Sequence, residues 1–248
     1  DVINLLDNIV ERGAEIQANR TLAVIRKMFN FALERDILEF SPCNAVKAPA
    51  KENIIDRVLS DQEIKTLWNQ LDECKLMDRR IALSLKLMLL TAQRKVECLN
   101  LKYSEIDSSG WWIIPKQISK NGKPHRVFLS PQAKELISLA RELLPESDWV
   151  FPSPRTGKSF LGSSIDHALR KTRVKKIIKI DFTPHDLRRT ASSMMTAMGT
   201  PLLTVSKILN HAEAGVTAKH YDHYAYDKEK KEALIKWGKK VEQICGDK

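Results

Sequence analysis

Residue types suited to phosphoryl chemistry follow one another in a fixed order along the chain. Arg94 ends Thr-Ala-Gln-Arg (91–94), and Lys120 lies in Ser-Lys-Asn-Gly-Lys (119–123). His185 and Arg188 lie in Thr-Pro-His-Asp-Leu-Arg-Arg (183–189), His211 ends Leu-Asn-His (209–211), and Tyr221 follows. Side chains three residues apart share a helix face, so His185 and Arg188 point the same way. Cations that hold a phosphate, imidazoles that move protons and a phenol that can attack are the parts of a phosphoryl-transfer site. Thr183 and Pro184 open the helix and Asp186 closes a capping box. The His185/Arg188 pair therefore stands at the helix's positive end, where an anion is favoured.

Each residue also has a plainer use. Arg94 can pair with Glu97, three residues on, because an unpaired buried guanidinium costs several kcal/mol. Lys120 can be a solvated hairpin lysine, with Lys123 its nearest competitor. Arg189 points away from the His185/Arg188 face, toward DNA backbone or packing. Tyr224 lies on nearly the same face as Tyr221 and is the alternative nucleophile, and Tyr226 is a third phenol. His220 and His223 form a His-x-x-His pair, but neighbouring Asp222 and Asp227 complete no zinc spacing, so no metal site is expected.

Positioning these groups falls to a mainly helical chain with one small antiparallel sheet. Helices are expected over 1–12 and 17–36, the second carrying Leu22, Ile25, Met28, Phe29, Phe31, Ala32 and Leu33 at helical spacing. A proline-punctuated stretch runs from Glu39 to about Arg57, and Ser60 with Glu63 then forms a capping box. Residues 80–92 read as a helix buried nearly all round. Trp111–Ile114 and Arg126–Leu129 read as strands, with Asn121-Gly122 a hairpin-turn signal that places Lys120 at a strand end. Further helices are expected over 131–144, 161–174, 184–198, 201–210, 216–224 and 228–244. Asn210, before His211, tolerates the left-handed conformation, and Gly215 is a stop signal. The last helix carries an apolar stripe of Leu234, Ile235, Trp237, Val241 and Ile244 that must pack somewhere.

The order Arg, Lys, His-x-x-Arg, His, Tyr resembles the tyrosine recombinases, the phage-integrase family, over most of the chain. Thr-Ala-Gln-Arg-Lys-Val-Glu resembles the family's first arginine box, with Ala92 where many members have glycine. Val-Thr-Ala-Lys-His-Tyr (216–221) resembles the closing box, and Leu-Asn-His departs from the usual Leu-Gly-His. The resemblance implies Arg94 and Arg188 on the scissile phosphate and Lys120 as acid for the leaving 5′ oxygen. It further implies His185 and His211 beside the phosphate, and Tyr221 as nucleophile in metal-free strand exchange with no cofactor. A C-terminal helix like this one commonly docks on a neighbouring protomer in that family; packing within the same chain is the alternative.

The implied organisation is a helical core-binding (DNA-binding) fragment over 1–50, a linker over 51–58 and a catalytic domain over 59–248. The opening Asp1-Val-Ile-Asn is expected to be a cut inside a longer protein. The resemblance is strongest to integrases of phages and genomic islands. A DNA-binding regulator and a type IB topoisomerase are the competing classes. Expected partners are double-stranded DNA attachment sites, a homotetramer on synapsed DNA and accessory DNA-bending proteins.

Composition agrees with a polyanionic partner, since 41 Lys and Arg against 31 Asp and Glu give a net charge of +10. The basic run Arg170, Lys171, Arg173, Lys175 and Lys176 is either a solvated helix end or a set of DNA-backbone contacts. The 4 scattered cysteines form no C-x-x-C pair, which argues against a disulfide framework and a zinc knuckle and fits a reducing cytoplasm; the resemblance implies a prokaryotic, nucleoid-associated location. No apolar run approaches the roughly 20 residues of a membrane span.

Overall fold

The computed structural model describes residues 1–51, 56–211 and 224–246. The chain divides into two compact units, Asp1–Ile55 and Asp56–Lys248. In the first, α1 (Val2–Glu11) and α2 (Glu15–Leu33) are joined across Gly13, whose φ of +73° suits a residue without Cβ. Leu6, Ile9, Ala18, Leu22 and Cys43 form its core, with Ile25 and Phe29 packed against them. Met28 and Phe31, read from sequence as part of the same stripe, are 56% and 50% exposed. The apolar face of α2 is thus wider than the surface α1 covers. The Asn19 amide ties α2 to Ala50, donating to its carbonyl and accepting from its N–H. Half of the linker expected at 51–58, residues 52–55, lies outside the described residues.

The second unit is built around α4 (Arg79–Thr91), in which every residue from Ile81 to Thr91 is buried. Around it pack α3 (Asp61–Glu73), α6 (Pro131–Leu143), α8 (Pro184–Ala197) and α10 (Asp227–Gly246), with the short α5 (Lys95–Leu99) following it in the chain. Ser60 caps α3 in the expected box with Glu63. One cation, Lys86, lies inside this apolar shell, 2.6 Å from Asp72 and 4.3 Å from the Trp68 ring centroid. Burial lowers its pKa, and Asp72 acts in the opposite sense by stabilising the ammonium.

Strands β1 (Trp111–Ile114) and β2 (His125–Phe128) pair antiparallel, Trp111 opposite Phe128 and Ile114 opposite His125. The connection is longer than the Asn-Gly signal suggests. Pro115 ends the ladder, and its carbonyl accepts from the N–H groups of Ile118 and Ser119 in a turn of its own. Asn121-Gly122 then closes a second turn, with the Gly122 N–H bonded to the Ser119 carbonyl and φ +65° at Gly122. Lys120 therefore sits in this second turn, six residues past β1, and not at a strand end as its position beside Asn121-Gly122 had suggested.

Helices α7 (Gly162–Val174) and α9 (Leu202–Ile208) complete the unit. Helix α9 stops before the expected residue 210, because Asn210 adopts φ +48° and the His211 N–H turns back to the Ser206 carbonyl. The helix expected over 216–224, apart from Tyr224, lies outside the described residues. The stripe on α10 packs within the chain: Leu234, Trp237 and Val241 are at most 1% exposed, and the Trp237 indole N–H reaches the Leu89 carbonyl at 2.8 Å. Docking on a neighbour, the use expected from resemblance, is thus replaced for these residues by packing in cis. Among the described residues no helix is long and apolar enough to cross a membrane.

Candidate active site

The second unit carries a cavity of about 550 Å³ into which Arg94, Lys120, His185 and Arg188 all project. They come from separate places in the chain: the entry to α5, the loop between the strands, and the first two turns of α8. The α4 helix ends one residue early for its length of apolar sequence because Ala92 takes the left-handed φ of +56°. That turn aims Gln93 inward and Arg94 toward the cavity. Glycine would hold the same conformation without the strain that an L side chain brings, on the order of 1–2 kcal/mol.

Arg94 pairs with Glu97 as the plainer reading expects, Nη1 to carboxylate at 3.0 Å, and Glu97 also accepts from the Arg94 backbone N–H. It lines the cavity nonetheless, with 22% of its side chain exposed. A guanidinium has five N–H donors, so one carboxylate leaves capacity for an anion. The pairing with Glu97 thus leaves the rest of the guanidinium facing the cavity.

Arg188 is 3% exposed and forks between two helix ends, Nη1 to the Ala92 carbonyl at 2.6 Å and Nη2 to the Leu209 carbonyl. The last carbonyls of a helix lack intrahelical donors and carry partial negative charge. This gives the buried cation its partners. Burial, and then the neighbouring Arg94, push its pKa down to about 10, so it remains charged at neutral pH.

Asp186 closes the start of α8, accepting from both the N–H and the hydroxyl of Thr183, and also pairs with Arg189 at 2.8 Å. The hydroxyl thus donates to the box instead of capping the helix directly. His185 opens onto the cavity, and its pKa is lowered by desolvation against the wall and then by Arg189 and Arg188. His211 is lowered likewise, first by desolvation, then by Arg188, Arg94, His185 and Lys120, which places it in the same electrostatic neighbourhood. Tyr221, His220 and His223 lie outside the described residues. Tyr224 is exposed and donates its hydroxyl to Glu229 at 3.3 Å, while its ring meets Tyr226 edge-on.

Residues with no evident chemistry in the sequence hold the site's frame. Gln93, fully buried, donates to the carbonyls of Thr91 and Ile208. His125 on β2 lies with Nε2 3.0 Å from the same Ile208 carbonyl, and its burial pushes its pKa down to about 4. Asn121 donates to the Asn210 carbonyl at 2.7 Å. The last carbonyls before His211 are therefore clasped by groups from the Arg94 turn, the sheet, α8 and the Lys120 loop. Their partners are far away in sequence, so no local signal marks them.

Of the basic residues expected on DNA, Arg170 and Lys171 are exposed on α7. Arg173 instead bonds the Phe182 carbonyl, with Asp181 at 3.7 Å, and Arg189 pairs with Asp186 as above.

The sequence profile described as the phage integrase family matches residues 57–228. The chain belongs to that family. Curated relatives include tyrosine recombinase XerC of Anoxybacillus flavithermus, 25% identical over 217 residues, covering 84% of this chain and 71% of the relative. Tyrosine recombinase XerD of Lacticaseibacillus casei is 24% identical over 213 residues, with 82% and 71% covered. In solved structures, the fold is shared with a lambda integrase fragment determined as a dimer on a COC′ core site. That match has TM-score 0.70 and 16% identity, covering 90% of this chain and 81% of the other. The Tn1549 transposon integrase, determined with circular-intermediate DNA, matches at TM-score 0.68 and 12% identity over 92% and 82%. As a member of the phage integrase family the chain is a tyrosine-type site-specific recombinase.

Proposed function

We propose that this recombinase cleaves and rejoins duplex DNA at attachment sites through a 3′-phosphotyrosyl intermediate, integrating or excising a mobile element. The observation that carries the reading is the convergence of Arg94, Lys120, His185 and Arg188 on one cavity. Tyr221 is the nucleophile: its oxygen attacks the scissile phosphorus as the bond to the 5′ oxygen breaks. A phenol with a pKa near 10 is only about 0.1% ionised at pH 7, so two arginines on the phosphate and a nearby proton acceptor must both help. His185, held toward its neutral form, takes the phenol proton, and Lys120 gives one to the 5′ oxygen. Arg94, Arg188 and His211 stabilise the charge gathering on the nonbridging oxygens. A 5′ hydroxyl from another strand reverses the attack, and the energy of the broken diester is kept in the phosphotyrosine.

Residues 1–50 serve as part of a core-binding domain, 51–58 as its linker, and 59–248 as the catalytic domain. Arg170 and Lys171, joined by Arg155 along one open groove, hold DNA backbone, with Arg173 and Arg189 contributing from their internal pairs. Assembly is a homotetramer on synapsed DNA, as supported by the lambda integrase tetramer determined on a Holliday junction, which shares the fold at TM-score 0.70. Accessory DNA-bending proteins belong to the same reading.

Trapping tests this directly. On a nicked suicide duplex carrying an attachment site, the protein should accumulate a covalent adduct that Tyr221→Phe abolishes without loss of DNA affinity. An adduct lost in Tyr224→Phe and kept in Tyr221→Phe would reassign the nucleophile, and no adduct from either parent or variant would favour a DNA-binding regulator. Recombination between two sites then separates the recombinase from a type IB topoisomerase.

A further inference from the structure

Lys120 is an exposed side chain in a connecting loop, yet the residues on either side of it are held by one partner. The Asn210 side chain donates through Nδ2 to the Ser119 hydroxyl at 2.9 Å. Asn121 donates back through its own Nδ2 to the Asn210 carbonyl at 2.7 Å, with the Asn210 Oδ1 at 3.3 Å. Ser119 is 6% exposed, so this bond is sheltered from water. Between the two anchored residues, the Ser119–Gly122 turn leaves Lys120 little to vary except its own side chain.

Backbone geometry permits asparagine at this position but does not require it. Asn210 has φ +48°, a conformation that glycine holds with less strain. What glycine lacks is the amide that reaches Ser119. The next residue is His211, which feels the charge of Lys120.

We propose that Asn210 is a positioning residue for Lys120. By bonding Ser119 and Asn121 it pins the lysine's turn to the end of α9, and so fixes the proton donor relative to His211 and Arg188. The proposal rests on Lys120 being the acid for the 5′ leaving oxygen. It adds a residue-level reason why a lysine on a loop is in register with groups on α8 and α9. Misplacement of a catalytic group by about 1 Å can cost on the order of a hundredfold, so a loosened turn should be felt in rate before it is felt in folding.

The test is single-turnover cleavage of two suicide duplexes, one normal and one with a 5′-bridging phosphorothiolate, whose thiolate leaves without a proton. Asn210→Gly keeps the backbone conformation and deletes the amide; Ser119→Ala deletes the acceptor from the other side. Each should slow cleavage of the normal duplex by about ten- to a hundredfold and cleave the phosphorothiolate within about twofold of the parent protein. The double variant should be no slower than the worse single. Equal loss on both duplexes, or no loss on either, would overturn the proposal. Lys120→Ala run alongside separates its two parts. If Lys120→Ala is rescued by the phosphorothiolate and Asn210→Gly is not, Lys120 remains the acid and the positioning role fails. If Lys120→Ala is not rescued, the acid role fails and the positioning role with it. A thermal melt of each variant identifies any loss that comes from unfolding.

Discussion

Glu97 closes on Arg94 at both ends, one carboxylate oxygen 2.8 Å from the backbone N–H and the other 3.0 Å from Nη1. The carboxylate is 1% exposed, so it fixes where the guanidinium can point. An ion pair three residues apart is usually a local surface contact of a few tenths of a kcal/mol. Here its main consequence is directional, because the rest of the guanidinium faces a cavity that Arg188 also enters. Two arginines converge on one space, and they are held there by different means.

That difference predicts different losses on truncation. Arg188→Ala leaves the carbonyls of Ala92 and Leu209 buried without their donor, and an unsatisfied buried polar group costs about 1–3 kcal/mol. Arg94→Ala removes a partly exposed side chain, and Glu97 keeps its backbone bond. Urea unfolding should therefore show Arg188→Ala less stable than the parent by about 2–4 kcal/mol and Arg94→Ala by clearly less. Both should lose roughly a hundred- to a thousandfold in cleavage. A methylphosphonate at the scissile position, which carries no charge, should partly rescue Arg94→Ala. Equal stability losses would mean that the buried Glu97 carboxylate depends on Arg94 as much as the two carbonyls depend on Arg188, and no rescue would return Arg94 to a purely structural partner of Glu97.

The proposed roles of His185 and His211 predict the acid side of the pH profile. Both have pKa values lowered by desolvation and by the surrounding cations. A lowered value keeps the imidazole neutral, and able to take a proton, down to pH values below the ordinary 6.5. Cleavage at subsaturating DNA, which reports the groups of the unbound protein, should hold its rate from pH 8 to 6.5 and fall only below that. A fall already centred above pH 7 would mean that His185 is not the acceptor.

A packing prediction concerns α10. A Cβ on Gly238 would meet the Gln132 Oε1 at 2.5 Å and the Ser130 Oγ at 2.7 Å. Alanine is favoured over glycine in a helix by about 1 kcal/mol. Against that, Ser130 caps α6 by accepting from the Ala133 N–H, and loss of such a cap costs about 1 kcal/mol before overpacking adds about 1–3. The clash should win. Gly238→Ala should melt several degrees below the parent, and a higher melting temperature would show that helix propensity dominates.

How much of this could be read from the sequence follows from the range of each interaction. The Ser60/Glu63 box and the start of α8 were legible because both partners lie within one turn. The burial of α4 was legible from its unbroken apolar run, with Lys86 the exception that needed Asp72 and Trp68 from α3. The site's residue types and order were legible for the same reason that motifs are: chemistry restricts them. The Lys120 loop was misread because Asn-Gly signals a tight turn but not where the ladder ends, and Pro115 ends it early. Gln93 and His125 were opaque because both meet the Ile208 carbonyl, backbone that the chain reaches only much later, and Asn210 because its side chain bonds Ser119, far earlier in the chain. Arg173 and Arg189 looked available to DNA, and their nearby acceptors, Phe182 and Asp186, became apparent only once the segment around α8 had folded.

His125 yields the last prediction, a pH dependence of stability with a defined sign. Its Nε2 faces the Ile208 carbonyl, which can only accept, so the neutral ring donates from Nε2. Burial pushes the pKa to about 4 in the folded protein, against about 6.5 for an unperturbed histidine in the unfolded chain. Below pH 6.5 the unfolded chain binds a proton that the folded protein refuses. The stability contributed by the buried neutral ring is therefore fully present above pH 6.5 and is lost progressively as pH falls from there toward 4. The whole shift corresponds to about 3 kcal/mol. Replacing His125 with glutamine keeps a donor for Ile208 and removes the titration. His185 and His211 titrate in both proteins, so their contributions cancel in the difference. Urea midpoints measured at pH 8, 6, 5 and 4.5 should show the parent losing stability relative to His125→Gln as the pH falls, by about 1–3 kcal/mol at the lowest value. A difference that stays constant across the series would mean that His125 takes up its proton in the folded protein as readily as in the unfolded chain, and its hold on the end of α9 would then need another explanation.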